Sequence, residues 1–310
     1  MKSFRRIIKC TGKLWLAGAS VLLGLSGGAY AQDSFTYSQY MNNLTPVNQA
    51  HALLDQNGSI SGLYRSQWTG IEGAPSTFIF NASVPLETIN GAAGLTVLND
   101  QFAVEHLTEV NAFFAKGIQL TASTYLGVAI NAGLRRYVAN YSSLSMMDPS
   151  FRDDVRQTRP NVGFAVMLYT PSYYLGLALP EMTIAGLGNA SIQDNNYFKS
   201  HFNISGAYLL DNGSDFKIKP AVLAYYTKGE PLTAHFSTTV YVKDLLGLGV
   251  DYRTSKQLSG ILSISTRNLS LGYSYQFAAS GMNLGGMNSA VHEVSLSYRF
   301  GHHLDNISLL

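Results

Sequence analysis

Arg65, Gln67 and Trp68 stand close together, directly before the stretch Gly70-Ile71-Glu72-Gly73-Ala74-Pro75. Gly70 and Gly73 can supply the positive φ angles of a tight connection, and Pro75 fixes φ where strand pairing can restart. A planar guanidinium, an amide and an indole beside a rigid turn can recognise a partner. They can equally lock the end of a strand, and strand ends often store such polar clamps. Other reactive side chains are scattered. Among seven histidines, His201 and His235 lie in segments of alternating polarity, where an inward imidazole beside Ser or Asp could serve a hydrolase.

No motif organises them for chemistry. The chain lacks a nucleophile elbow, HExxH, CxxC and a phosphate-binding glycine loop, so satisfied interior histidines are the simpler reading. The adjacent pair His302-His303 cannot close a tetrahedral metal site alone. Asp148, Asp153 and Asp154 crowd one stretch without the spacing or glycine of an EF-hand loop, and Asp148-Pro149 is itself a turn signal. The expectation is no catalytic residue, no metal and no cofactor.

The leader accounts for the formal charge of +2. Lys2, Arg5, Arg6, Lys9 and Lys13 precede an apolar run from Leu14 to Leu25, and Ala29-Tyr30-Ala31 reads as a cleavage site. Without those five basic residues, 16 Lys and Arg face 19 Asp and Glu. The basicity therefore belongs to a signal peptide, residues 1–31, and predicts no nucleic-acid partner. Cys10, the sole cysteine, precedes the apolar run, whereas an acylated lipoprotein cysteine would follow it. The mature chain has no thiol for a disulfide, a zinc site or a nucleophile.

Only 13% of the 310 residues are charged, about half the usual globular share, while 46% are hydrophobic. Yet no run after residue 31 approaches the roughly 18–20 apolar residues of a spanning helix. Period-two patterning takes its place. Leu269, Leu271, Tyr273, Tyr275 and Phe277 alternate with Ser270, Gly272, Ser274 and Gln276. Val294, Leu296, Tyr298 and Phe300 alternate with Glu293, Ser295, Ser297 and Arg299. A large apolar face opposite a small, polar one suits lipid outside and a polar lumen inside. A soluble sandwich would carry charges on its wet face instead.

Fourteen such segments between residues 58 and 300 predict an all-β, antiparallel transmembrane barrel in an outer membrane. Residues 32–57, with Pro46 and several Asn, read as a folded loop or plug-like segment. Residues 301–310 form a tail. Long connections at 137–158, 181–196 and 279–288 fall on the outer side if the N-terminus is periplasmic, as does the Gly70–Ala74 turn. Glu181 to Gly188 could form a short helix over the barrel mouth. Small inward residues such as Ser270, Ser274 and Ser295 leave a channel open as an alternative function.

Three stretches carry a family resemblance. Arg65, Gln67, Trp68, Gly70, Ile71, Gly73, Ala74 and Pro75 resemble the "YRxQWxGIxGAP" signature of the PorP/SprF family. Ser38-Gln39-Tyr40-Met41 is similar to the "FSQYM" that opens its mature members, and His292-Glu293 leads into a terminal strand similar to "HE(I/V)xLxYxF". Asn48-Gln49-Ala50-His51-Ala52-Leu53 departs from the family's "NPAxAG"-like run, lacking its proline and glycine. The resemblance implies a non-enzymatic outer-membrane component of the type IX secretion and gliding machinery of Bacteroidetes. Its implied partners are type IX secretion components and the C-terminal domain of a secreted adhesin or surface protein, besides membrane lipid. It also marks Gln39, Tyr40, Arg65, Gln67, Trp68, Gly70, Gly73, Pro75, His292 and Glu293 as signature residues with a binding or bracing role.

Overall fold

The computed structural model describes residues 36–144, 153–183, 198–277, 290–302 and 309–310. The leader, Ala29-Tyr30-Ala31, Cys10, Asp148, His303 and most of the 181–196 and 279–288 loops lie outside them.

Fourteen strands close into one antiparallel barrel in which each pairs with its sequence neighbours and the first pairs with the last. They are β1 (Gly58–Gln67), β2 (Ser76–Leu86), β3 (Gly91–Phe102), β4 (Glu105–Gln119), β5 (Tyr125–Ala139), β6 (Val155–Tyr169) and β7 (Tyr173–Thr183). Then follow β8 (His201–Tyr208), β9 (Phe216–Thr227), β10 (Thr233–Val242), β11 (Leu246–Arg253), β12 (Gln257–Ser265), β13 (Leu269–Phe277) and β14 (Val291–Phe300). The closing seam runs from Gly58 opposite Phe300 to Gln67 opposite Val291. Closure removes both sheet edges, which lipid demands because it cannot satisfy an unpaired N–H or C=O.

The alternation read from the sequence is the in–out pattern of the wall. Leu177 is 57% exposed and the adjacent Ala178 only 6%. Leu134, Leu175, Phe202, Leu271 and Leu296 form part of an apolar outer surface, while Asn131, Ser205, Ser274 and Glu293 point inward and are buried. Glu181, Met182 and Thr183 continue β7 rather than starting a helix over the mouth. The longest connections, 140–154, 184–200 and 278–290, all leave one end of the barrel. The other end carries tight turns, such as those at Gly213 and Asp244, both with positive φ.

Residues 36–57 run through the interior. Tyr37, Tyr40, Met41, Leu44, Val47 and Ala50 join a single buried cluster that takes in wall residues from β1 through β9 and β12. The wall makes room with small side chains, among them Ala115, Ala129 and Ala165. Chain turns such as Val47 N–H to Leu44 C=O, at 2.9 Å, satisfy part of the backbone, and Asn48 caps a 3₁₀ turn at Gln49–Leu53. Burying a large aliphatic or aromatic side chain is worth roughly 1.5–3 kcal/mol, against about 1 kcal/mol net for a hydrogen bond. Apolar burial therefore holds most of this segment, and hydrogen bonds set its register.

Gly127 on β5 shows how closely the two fit, since a Cβ there would lie 2.8 Å from Leu53 Cδ1 and 3.4 Å from Ala50 Cβ. Gly127→Val is expected to strain the inner segment by about 1–3 kcal/mol while leaving the strand ladder intact. Limited proteolysis in detergent should then cleave within residues 36–57, with the heat-modifiable migration of the barrel unchanged.

Candidate functional site

The signature residues meet at the seam. Arg65 on β1 lies directly opposite Glu293 on β14, both inward and buried, with Nε 3.4 Å from Oε1. Into this pair comes the inner segment: Ser38 N–H donates to both Glu293 carboxylate oxygens at 3.0 Å, and Gln39 N–H donates to Oε2 at 3.3 Å. Ser274 on β13 adds its hydroxyl at 2.8 Å. A buried carboxylate needs such donors, because burying an unpaired charge is costly.

Gln39 completes the junction with its side chain. Its Nε2 donates to the Glu293 carbonyl at 3.1 Å and its Oε1 accepts from Ser295 Oγ at 2.7 Å. Tyr40 continues inward, its hydroxyl 2.7 Å from Ser237 Oγ and its ring edge-on to His235, 5.7 Å between centroids. Gln39, Tyr40, Arg65 and Glu293 are thus brought together along the lumen wall near the long-loop end.

The rest of the signature is nearby but directed elsewhere. Trp68 adopts φ 50° and its ring packs edge-on against Phe102 of β3, at 6.4 Å. The Trp68 main-chain N–H donates to Ala290 C=O, and Gln67 N–H to Pro75 C=O, which closes the hairpin. Gly70 and Gly73 have φ of 95° and 73°, the left-handed values that the turn requires. The Gly73 carbonyl accepts from Ala103 N–H, which ties the hairpin to the β3–β4 turn. Thr69 to Gly73 form an exposed tip. His292, one residue from Glu293, faces the other side of the sheet, where its Nδ1 lies 2.9 Å from Tyr273 OH.

The histidines singled out for chemistry are separate. His235 is fully buried, 2.9 Å from Asp251, and covered by Tyr40. His201 lies 3.5 Å from Glu181. Ser237, which stands two residues after His235, is engaged by Tyr40. Among the described residues no group of His, Cys, Asp and Glu is set to hold a metal ion.

Two features escaped the sequence reading. Arg135 on β5 is clamped between Glu109 on β4 and Glu181 on β7, each at 3.0 Å, forming a second inward charge cluster at the long-loop end. Charged residues at inward positions of long strands were the available signal. The small lumenal serines also have partners: Ser274 and Ser295 donate to Glu293 and Gln39, and Ser270 pairs with Ser265 at 2.7 Å, while Ser270 and Ser295 also line the remaining lumenal cavity.

Breaking a buried charged network from one side costs about 3–5 kcal/mol. Glu293→Ala should release residues 36–41 to protease and lower the melting temperature. Glu293→Gln, which keeps the shape but not the charge, should fall between Ala and wild type. Mass-spectrometric mapping of the first cleavage sites checks the order.

Comparison with known proteins agrees with this architecture. Two mutants of the TodX monoaromatic hydrocarbon channel superpose with a TM-score of 0.51, at 10% and 12% identity. One alignment covers 89% of this chain and 97% of the channel, the other 84% and 94%. The outer membrane protein Omp33 of Acinetobacter baumannii, at 10% identity and a TM-score of 0.48, covers 80% of this chain and 99% of its own. At such identities the likeness to the two TodX mutants is one of fold. No curated protein sequence matches the chain. Residues 29–298 match the family described as type IX secretion system membrane protein PorP/SprF. That span takes in the inner segment, the hairpin and the seam, and the chain belongs to the PorP/SprF family of outer-membrane proteins.

Proposed function

We propose that the barrel is a plugged docking scaffold of type IX secretion, which helps a particular secreted adhesin or surface protein to reach or stay at the cell surface. The supporting observation is the inner segment. Tyr40, Met41 and Leu44 are at most 3% exposed within the lumen and pack against wall strands nearly all the way round. A bore filled this way favours binding at the ends of the barrel over passage through it. Secretion-system barrels of this family are a non-enzymatic kind of protein, and the wholly buried His235 fits that character.

The docking face in this reading is the long-loop end, taken as outward by the usual asymmetry of such barrels. There the hairpin tip presents Ile71, 37% exposed, on a turn fixed by Gly70 and Gly73. Trp68 braces the tip against Phe102, and Arg65 braces its root through Glu293. A preorganised tip binds with less ordering cost than a free loop. The C-terminal domain of the secreted protein is the partner at this face, and other type IX components meet the periplasmic end.

Purification from the native outer membrane in mild detergent should bring down one large secreted protein. That capture should be lost when Arg65 and Trp68 are both changed to Ala in a barrel that keeps its heat-modifiable migration. In planar bilayers the wild-type barrel should give no steady conductance, and deletion of residues 36–54 should produce single-channel steps. A wild-type barrel recovered alone and conducting would replace docking with a channel.

A further inference from the structure

The opposite end of the lumen holds a second, differently built site. Lys219 on β9 is 1% exposed, inside the barrel near the short-turn end. Its amine donates to Met41 C=O of the inner segment at 2.7 Å and to Leu309 C=O, with the Tyr241 ring 5.7 Å away. No carboxylate pairs with it among the described residues. A buried ammonium held by carbonyls alone is an exacting arrangement, because losing either carbonyl leaves a desolvated charge short of an acceptor.

Leu309 and Leu310 therefore return to the lumen after β14 has ended at Phe300. Leu309 is buried, Leu310 packs against the cluster built by the inner segment, and His51 is hydrogen-bonded to the Leu310 main chain. About 140 Å³ of cavity remains around them, lined by polar groups that include Asn43, Asp55, Ser263 and Arg299. Arg299 and Asp55 form a rigid rim, with contacts of 2.6 and 2.9 Å. A peptide that uses the Lys219 contact would take the place of the two leucines. Leu309 and Leu310 lie beyond the family match, which ends at residue 298.

We propose that this cavity is a peptide-binding site. Its ligand is an extended segment with two consecutive bulky aliphatic residues and a main-chain carbonyl for Lys219, and Leu309–Leu310 occupy it in cis as an exchangeable copy. The partner it fits is a peptide of that chemistry arriving from the short-turn end. Recognition combines a charge-assisted carbonyl contact with apolar burial against Met41 and its neighbours. Tethered to β14, the resident segment has an effective concentration on the order of millimolar, so it excludes weak competitors until it is drawn out.

The test uses the full barrel in detergent and a barrel ended after His302. The probe is a fluorescein-labelled decapeptide with the sequence of residues 301–310, read by anisotropy. The shortened barrel should bind it saturably with a Kd in the micromolar range, and the intact barrel at least tenfold more weakly. Lys219→Met in the shortened barrel should weaken binding at least tenfold. A probe carrying Leu309→Ser and Leu310→Ser should fail in the same way, which reads the contact even if the Lys219 variant does not fold. A shortened barrel that keeps its heat-modifiable migration but does not bind overturns the proposal. So does equal binding of the two probes.

Discussion

A single buried carboxylate organises the lumen. Glu293 is 1% exposed, and a charge so placed must be met by donors because burying it unpaired is costly. The donors come from separate parts of the chain: Arg65 across the seam, Ser274 on the adjacent strand, and the Ser38 and Gln39 amides from the interior. The closing seam and the inner segment therefore share one buried carboxylate. Among the described residues, the seam between β1 and β14 is the one strand pairing that joins distant ends of the sequence, so an interaction that also recruits residues 36–41 stabilises the least local part of the fold.

The inner segment is then held at two levels by different physics. At the long-loop end, Glu293 binds main-chain amides. At the short-turn end, Lys219 binds main-chain carbonyls, and between them Tyr40, Met41 and Leu44 are buried in the apolar cluster. An anion for the N–H groups and a cation for the C=O groups serve the two sides of a backbone that has no strand partner. The docking and peptide-exchange proposals both rest on this one filled lumen, and they concern opposite ends of it.

The barrel was legible because lipid imposes a simple rule. Each strand must show the membrane a large apolar residue at every second position, and Leu269 through Phe277 does so without a charge to confuse the pattern. The turn chemistry was equally local: Gly70 and Gly73 take the positive φ their type permits. The lumen was less legible. The partners of Ser274 and Ser295, Glu293 and Gln39, were not visible, because a small polar residue looks the same whether it faces water or a packed segment. Arg135 with its two carboxylates went unremarked, since its partners sit on β4 and β7, far apart in the sequence.

From the sequence alone came the strand count, the wet and lipid faces, the tight turns and the family signature, all set by neighbours within a few residues. What fills the bore, and which signature residues touch, depended on tertiary structure. Ser38 and Glu293 are 255 positions apart, and only closure of the barrel brings them to 3.0 Å. Arg65 and Trp68 are three residues apart, yet the turn sends one to the buried carboxylate and the other to Phe102. Periodicity gives a side chain its face of the sheet; the partner waiting there is decided by how the sheet closes.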